Sequence, residues 1–258
     1  MNAFPRSVDD RLRALDAKRA AWEPNSDTQN AIDWSRPIAL PRWLPRRYVA
    51  RALSQFLHGE RVTAEICRAG LSGWRDQPVI ADCLQGQAQD EERHAVLFQG
   101  YLRRLGDIAP VDPVLQTVLE AVLAWKGPPE AALVAVNIIL EGAALRMLDD
   151  LGDLLACPLF TQINRHIARD EARHVAMGKI ALRHRLPALD QSERQVIYHW
   201  IAALWQECAG GMLADLTVPG VITANRRRRW LDAGWAHQVR AMIDIGLIDD
   251  ADVSAGLP

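Results

Sequence analysis

Residues Ala168–Met177 read ARDEARHVAM, and an earlier stretch, Gln89–Ala95, reads QDEERHA. In both, a Glu precedes a His by three residues (Glu91 and His94; Glu171 and His174), an Asp precedes the Glu (Asp90, Asp170), and an Arg precedes the His (Arg93, Arg173). On a helix, residues three apart share a face, so each copy presents one carboxylate and one imidazole side by side. A single Glu-x-x-His is common in helices. Two copies that keep Asp, Glu, Arg and His at equal offsets form a repeat with a shared chemical purpose.

That purpose is a two-metal site. Two Glu-x-x-His helices, each paired with a helix carrying a lone Glu, make the four-carboxylate, two-histidine cage of di-iron and di-manganese bundles. Each copy has such a helix upstream: Glu60 stands 31 residues before Glu91, and Glu141 stands 30 before Glu171. The intervals suit pairs of antiparallel helices, since a 20-residue helix is about 30 Å long and the return path must match it. Helix A is expected from Pro45 to Gly70 with Glu60 on its apolar stripe and Gly70 as cap; Glu65, five residues on, falls off that face. Helix B is expected from Pro78 to Leu105–Gly106, its inward stripe running through Gln87, Glu91, His94, Phe98 and Tyr101. Helix C, from Pro128–Pro129 to Leu151–Gly152, is almost wholly apolar between Ala131 and Leu145 apart from Asn137 and Glu141. A lone carboxylate there is costly to bury without a partner; Arg146 is the alternative to a metal. Helix D follows Pro158 and ends near Leu186–Pro187.

The expected ligands are therefore Glu60, Glu91, His94, Glu141, Glu171 and His174, related by a pseudo-twofold. A metal-bound His donates its other ring N–H to a carboxylate, so Asp90 is expected to support His174 and Asp170 to support His94 across the bundle. Arg93 and Arg173 then balance these carboxylates, or lie on the surface. Phe98, Ile138, Leu145 and Leu148 are expected as an apolar shell, and Gly142 and Ala144 as space beside Glu141.

The rest of the chain frames this core. With 258 residues, 49% of them hydrophobic and 24% charged, it has the composition of a globular protein. No Pro/Gly/Ser linker divides it, so one all-α domain over 1–258 is expected: an N-terminal helix and arm (1–45), the four-helix core (46–186) and C-terminal helices (187–258). Ser7 caps the first helix, toward whose inner side Leu12, Leu15 and Ala20–Ala21 lie. Pro113–Trp125 reads as a crossover helix, Asp190 or Ser192 opens a helix to about Leu216, and Thr223–Ile245 forms the last. The net charge of −2 gives no argument for nucleic acid, and no nucleic-acid partner is expected. No basic-then-apolar leader or uncharged run of about 18 residues appears, so no membrane span and a cytoplasmic location are expected. Cys67, Cys83, Cys157 and Cys208, with no C-x-x-C, read as reduced core residues. Arg226–Arg229 reads as a solvated face or a site for an acidic partner.

Over residues 46–186 this pattern resembles the ferritin-like di-iron carboxylate oxidases, a group that includes ribonucleotide reductase small subunits, multicomponent monooxygenases, acyl-carrier desaturases and the p-aminobenzoate N-oxygenase type. The resemblance implies a ferritin-like four-helix bundle holding two irons, or Mn and Fe, with O2 as co-substrate. It implies a small organic or carrier-bound substrate undergoing N-oxygenation, hydroxylation or desaturation. A reductase or ferredoxin as electron donor is implied too, and a monomer or homodimer is expected. The chain departs from each subgroup: Phe98 stands where the reductase subunits carry a radical-forming Tyr, Leu145 where the monooxygenases carry a Thr, and Ile167 where the N-oxygenase type adds a third His, with His166 one position earlier. The alternative function is a ferroxidase or iron-storage protein. The 258-residue length with extra terminal helices points to the oxygenase.

Overall fold

The computed structural model describes residues 7–22, 31–212 and 224–249, which contain helices and no strand. The helices are α1 (Val8–Trp22), α2 (Arg46–Gly70), α3 (Pro78–Leu105), α4 (Pro113–Ala124), α5 (Glu130–Leu155), α6 (Pro158–Arg185), α7 (Gln191–Met212) and α8 (Ala224–Ile245). The ferritin-like, all-α expectation holds. The chain forms two compact units, Met1–Val111 with Glu141–Met177 and Asp112–Leu140 with Gly178–Pro258. The division cuts within α5 and α6.

In the first unit α2 and α3 pack along their length. Prolines open both: Pro45 flanks α2, and Pro78 occupies the first turn of α3, where a missing N–H costs nothing. Gly106 ends α3 with φ of 101°, and its N–H donates to the Leu102 carbonyl. Gly70 behaves differently from the cap expected of it: it stays right-handed and α2 tightens into a 3-10 turn, Leu71–Trp74. Leu53, Leu57, Phe98, Tyr101, Phe160 and Ile167 are core residues, and Ile32, Trp34, Ile38 and Leu40 of the arm pack on them. A Cβ at position 100 would lie 2.5 Å from the Trp34 ring, so Gly100 is the seat of that indole. Ser7 Oγ accepts from the Asp10 amide, as expected of a cap, and Leu12 is fully buried. The side chains of Ala20 and Ala21, and residues 23–30 of the arm, lie outside the described residues.

In the second unit α4 opens with Asp112 accepting from the Val114 amide. Asp190 caps α7, accepting from the Glu193 amide while Glu193 accepts from the Asp190 amide, a reciprocal pair. The rings of Trp125 and Trp200 meet at a tilt of 32°, their centroids 4.3 Å apart, and Arg185 pairs with buried Glu130 at 3.0 Å. The end of α7 expected at Leu216, the side chain of Cys208 and the side chains of Arg226 and Arg227 lie outside the described residues; Arg228 and Arg229 are exposed.

Helix α5 corrects the sequence reading in one respect. Its residues Val134–Leu140 form a π-helix, flanked by α-helix at Glu130–Leu133 and Glu141–Leu155. It is long and apolar enough to cross a membrane by length and composition, but 56% of the window is buried within the protein. Ala156, at φ of 45°, ends it by donating to the Gly152 carbonyl, and Pro158 starts α6 two residues later.

Candidate metal centre

Within the first unit, α2 contributes Glu60, α3 Glu91 and His94, α5 Glu141, and α6 Glu171 and His174. All six are buried. Their donor atoms fall into two groups, Glu60/Glu91/His94/Glu171 and Glu91/Glu141/Glu171/His174, each with every donor within 4.8 Å of the others. Glu91 and Glu171 belong to both. His94 Nδ1 lies 3.5 Å from Glu60 Oε2, 3.2 Å from Glu91 Oε2 and 3.1 Å from Glu171 Oε1. His174 Nδ1 lies 3.6 Å from Glu141 Oε1, 3.3 Å from Glu91 Oε1 and 3.5 Å from Glu171 Oε2. Each shared carboxylate thus offers one oxygen to each imidazole. Glu60 and Glu141 each belong to one group only.

The outer nitrogens of the imidazoles face carboxylates. His174 Nε2 is 3.1 Å from Asp90 Oδ2, and His94 Nε2 is 3.3 Å from Asp170 Oδ2. An imidazole whose Nε2–H donates to a carboxylate keeps the Nδ1 lone pair for a cation. Arg173 donates to Asp90 and lies 3.5 Å from Asp170; Arg93 lies 2.6 Å from Asp90 and 3.5 Å from Asp170. Two arginines and two aspartates therefore cancel behind the imidazoles. Arg173 is buried and Arg93 half-buried, so the surface reading of both is corrected.

Burial and mutual charge shift the titrating groups of the cluster. Burial, with the Glu91 charge adding to it, pushes the Glu60 carboxyl well above its ordinary range. Burial and the charges of Glu171 and Glu91 do the same to Glu141. Burial opposes ionisation of Glu91, yet His174 and His94 hold its carboxyl down to about 2. Burial opposes the charged imidazoles too, but Glu91 and Asp90 raise His174 to about 9, and Asp170 and Glu171 raise His94 well above the usual imidazole value. Glu141 Oε2 is buried with no hydrogen-bond partner among the described residues. Four carboxylates and two Nδ1 atoms converge. Two divalent ions would match the four negative charges, and oxygen with imidazole suits iron or manganese. The residues present fit a metal pair.

Three features were not read from the sequence as parts of the site. Gln87, one turn before Glu91, donates to Glu91 at 3.2 Å and also to Glu141; its place on the inward stripe was the available signal. Arg19 of α1 comes within 4.0 Å of Asp90 and donates to Gln89; no local pattern announced it. Cys67, seven residues after Glu60, is fully buried, and burial with the charges of Glu91, Glu141 and Glu171 keeps its thiol protonated. The rivals fall away: Glu65 and Arg146 are exposed. Leu145 is only half-buried, whereas Phe98, Ile138 and Leu148 are buried.

The family of the p-aminobenzoate N-oxygenase AurF matches residues 74–238, more than half of the chain. The chain belongs to the AurF family. It is a non-heme di-iron oxidoreductase of the oxygenase/oxidase kind. No curated protein matches the sequence. Among solved structures, the R2-like ligand-binding oxidase from Sulfolobus acidocaldarius is similar in fold, with 18% identity, a TM-score of 0.58, and coverage of 92% of this chain and 91% of that one. Within the AurF family the chain keeps its departure at Ile167, which is fully buried, while His166 belongs to neither donor group.

Proposed function

We propose that Glu60, Glu91, His94, Glu141, Glu171 and His174 would hold two iron ions, and that the chain N-oxygenates a small aromatic amine. One observation carries this reading: two donor groups sharing Glu91 and Glu171, each with one imidazole and one terminal carboxylate. Mn/Fe is the alternative metal content. When bound, the metal pair supplies O2 reduction and oxidising power. The chain's own residues do the rest. Asp90 and Asp170 orient the imidazoles through Nε2, so that Nδ1 faces the glutamates. Arg93 and Arg173 neutralise those aspartates, so the charge of the bound pair is met by the four glutamates alone. Gln87 orients Glu91 and Glu141 by donating to both. Buried Phe98 and Leu148 exclude water on one side, and the half-buried turn Gly142–Leu145 is where a substrate approaches. The aromatic amine rests on the printed activity of the family, p-aminobenzoate N-oxygenation.

An external reductase or ferredoxin supplies electrons, and the protein works in the cytoplasm as a monomer or homodimer. Buried free thiols at Cys67, Cys83 and Cys157 suit a reducing compartment. The test is anaerobic Fe(II) titration followed by rapid mixing with O2, then with p-aminobenzoate. Two irons per chain and an optical transient whose decay the amine accelerates are expected. Fewer than two irons would refute the ligand set; a transient indifferent to aromatic amines would refute the substrate class.

A further inference from the structure

The π stretch of α5 ends at Leu140, and the next residue is Glu141. A wide turn carries more residues than an α-turn. Each extra residue rotates everything after it by about 100° relative to a regular helix. Were the stretch to relax to ordinary α-helix, Glu141 would leave the helix in another direction and lose Glu91, Glu171 and His174. A seven-residue π-helix is also rare, since its hydrogen bonds are poorer. Something must hold it.

Two residues of the second unit do. A Cβ on Gly178 of α6 would sit 2.5 Å from Asn137 Cβ, closer than side chains approach. Glycine there lets α6 lie directly against the middle of the π stretch, where Asn137 is fully buried. Gly178 is one turn beyond His174 on the same face of α6. From α8, buried Gln238 donates its Nε2–H to the Ile139 carbonyl at 3.4 Å. A side-chain donor on a carbonyl of the π stretch ties that stretch to α8. Gln238 bears a cost for this: its Oε1 is buried and makes no hydrogen bond among the described residues. A buried glutamine half unsatisfied is kept where its donor matters.

We propose that Gln238 is a positioning residue which, with Gly178, locks the π stretch of α5 and so sets the direction of Glu141 in the metal centre. The proposal rests on Glu141 being a metal ligand. It makes Glu141 with His174 the end of the centre that responds to α8, while Glu60 with His94, carried on α2 and α3, does not.

The test is a Co(II) titration of the full chain, followed by absorption, with E60Q and E141Q assigning the two binding steps. In Q238M, which keeps length and bulk but lacks the donor, the step assigned to Glu141 and His174 should weaken roughly 10- to 100-fold, the range for outer partners of metal ligands. The step assigned to Glu60 and His94 should stay within twofold. G178A presses on the same stretch from its other side with Gln238 intact, and should give the same one-sided loss if Q238M does not fold. Equal weakening of both steps would show a general packing role and overturn the proposal, as would no change in either. Failure of the unaltered chain to bind two Co(II) would overturn the ligand reading itself, before any variant is compared.

Discussion

Replacing Glu141 by Gln should stabilise the metal-free protein and destabilise the metal-loaded one. Glu141 is buried, its carboxyl is pushed far up by burial and by Glu171 and Glu91, and its Oε2 lacks a hydrogen-bond partner. A glutamine keeps the oxygen that accepts from Gln87 and places an N–H₂ where the orphaned oxygen stood, beside the oxygens of Glu91 and Glu171. Relieving one unsatisfied buried polar atom is worth about 1–3 kcal/mol. At about 2–4 °C per kcal/mol for a chain of this size, E141Q in chelator should melt about 2–12 °C above the unaltered protein. With metal the sign inverts. A ligand that binds only the folded state at a thousandfold excess over its Kd adds about 4 kcal/mol, and E141Q forfeits much of that at the His174 end. The assay is differential scanning calorimetry of both proteins, with EDTA and with excess anaerobic Fe(II) or Co(II). A lower melting temperature for E141Q in EDTA would refute the reading of Glu141 as a residue retained against stability. An equal metal-induced rise in both proteins would refute its role as a ligand.

Other outcomes follow from the same geometry. D170N leaves His94 Nε2 with a neutral acceptor in place of a carboxylate at 3.3 Å; metal affinity should fall roughly 10- to 100-fold, read by competition with a chelating dye. The metal-free protein should lose stability on the alkaline side. His174, raised to about 9, contributes stability that is fully present below its unfolded value near 6.5 and is lost as pH rises through about 9, on the order of 3 kcal/mol. His94, Glu60 and Glu141 are raised and act in the same direction. Glu91, Asp90 and Asp170 are lowered, so their contribution is present above about 4 and lost as pH falls further. Chemical denaturation in EDTA at pH 6 and pH 9 checks this, and a more stable protein at pH 9 would contradict it. A156G should raise the melting temperature, because Ala156 sits at φ of 45° on the exposed end of α5. The strain relieved is about 1–2 kcal/mol, less about 0.4–1 for the looser unfolded chain.

The sequence by itself determined the helices and the faces on which the six proposed ligand side chains lie. That information is local. Glu91 with His94 and Glu171 with His174 are three apart, and 3.6 residues per turn puts each pair on one face whatever else the chain does. Pro45, Pro78 and Pro158 mark helix starts for equally local reasons, a fixed φ and no N–H to satisfy. Even the crossed support of His174 by Asp90 and His94 by Asp170 was legible, because the offset from Asp to Glu recurs in both copies.

Tertiary structure alone decided what depends on distances between helices. That Glu91 and Glu171 straddle both imidazoles while Glu60 and Glu141 stand at the ends is a matter of angstroms between four helices, on which an identical Glu gives no hint. The burial of Arg173 turned on Asp90 and Asp170 closing over it. The π stretch before Glu141 was invisible for a different reason. Val134–Leu140 is apolar all round apart from Asn137, so no periodicity distinguishes a wide turn from an ordinary one. Its hydrogen-bond pattern is settled by residues distant in the chain, Gly178 and Gln238, that pack against it.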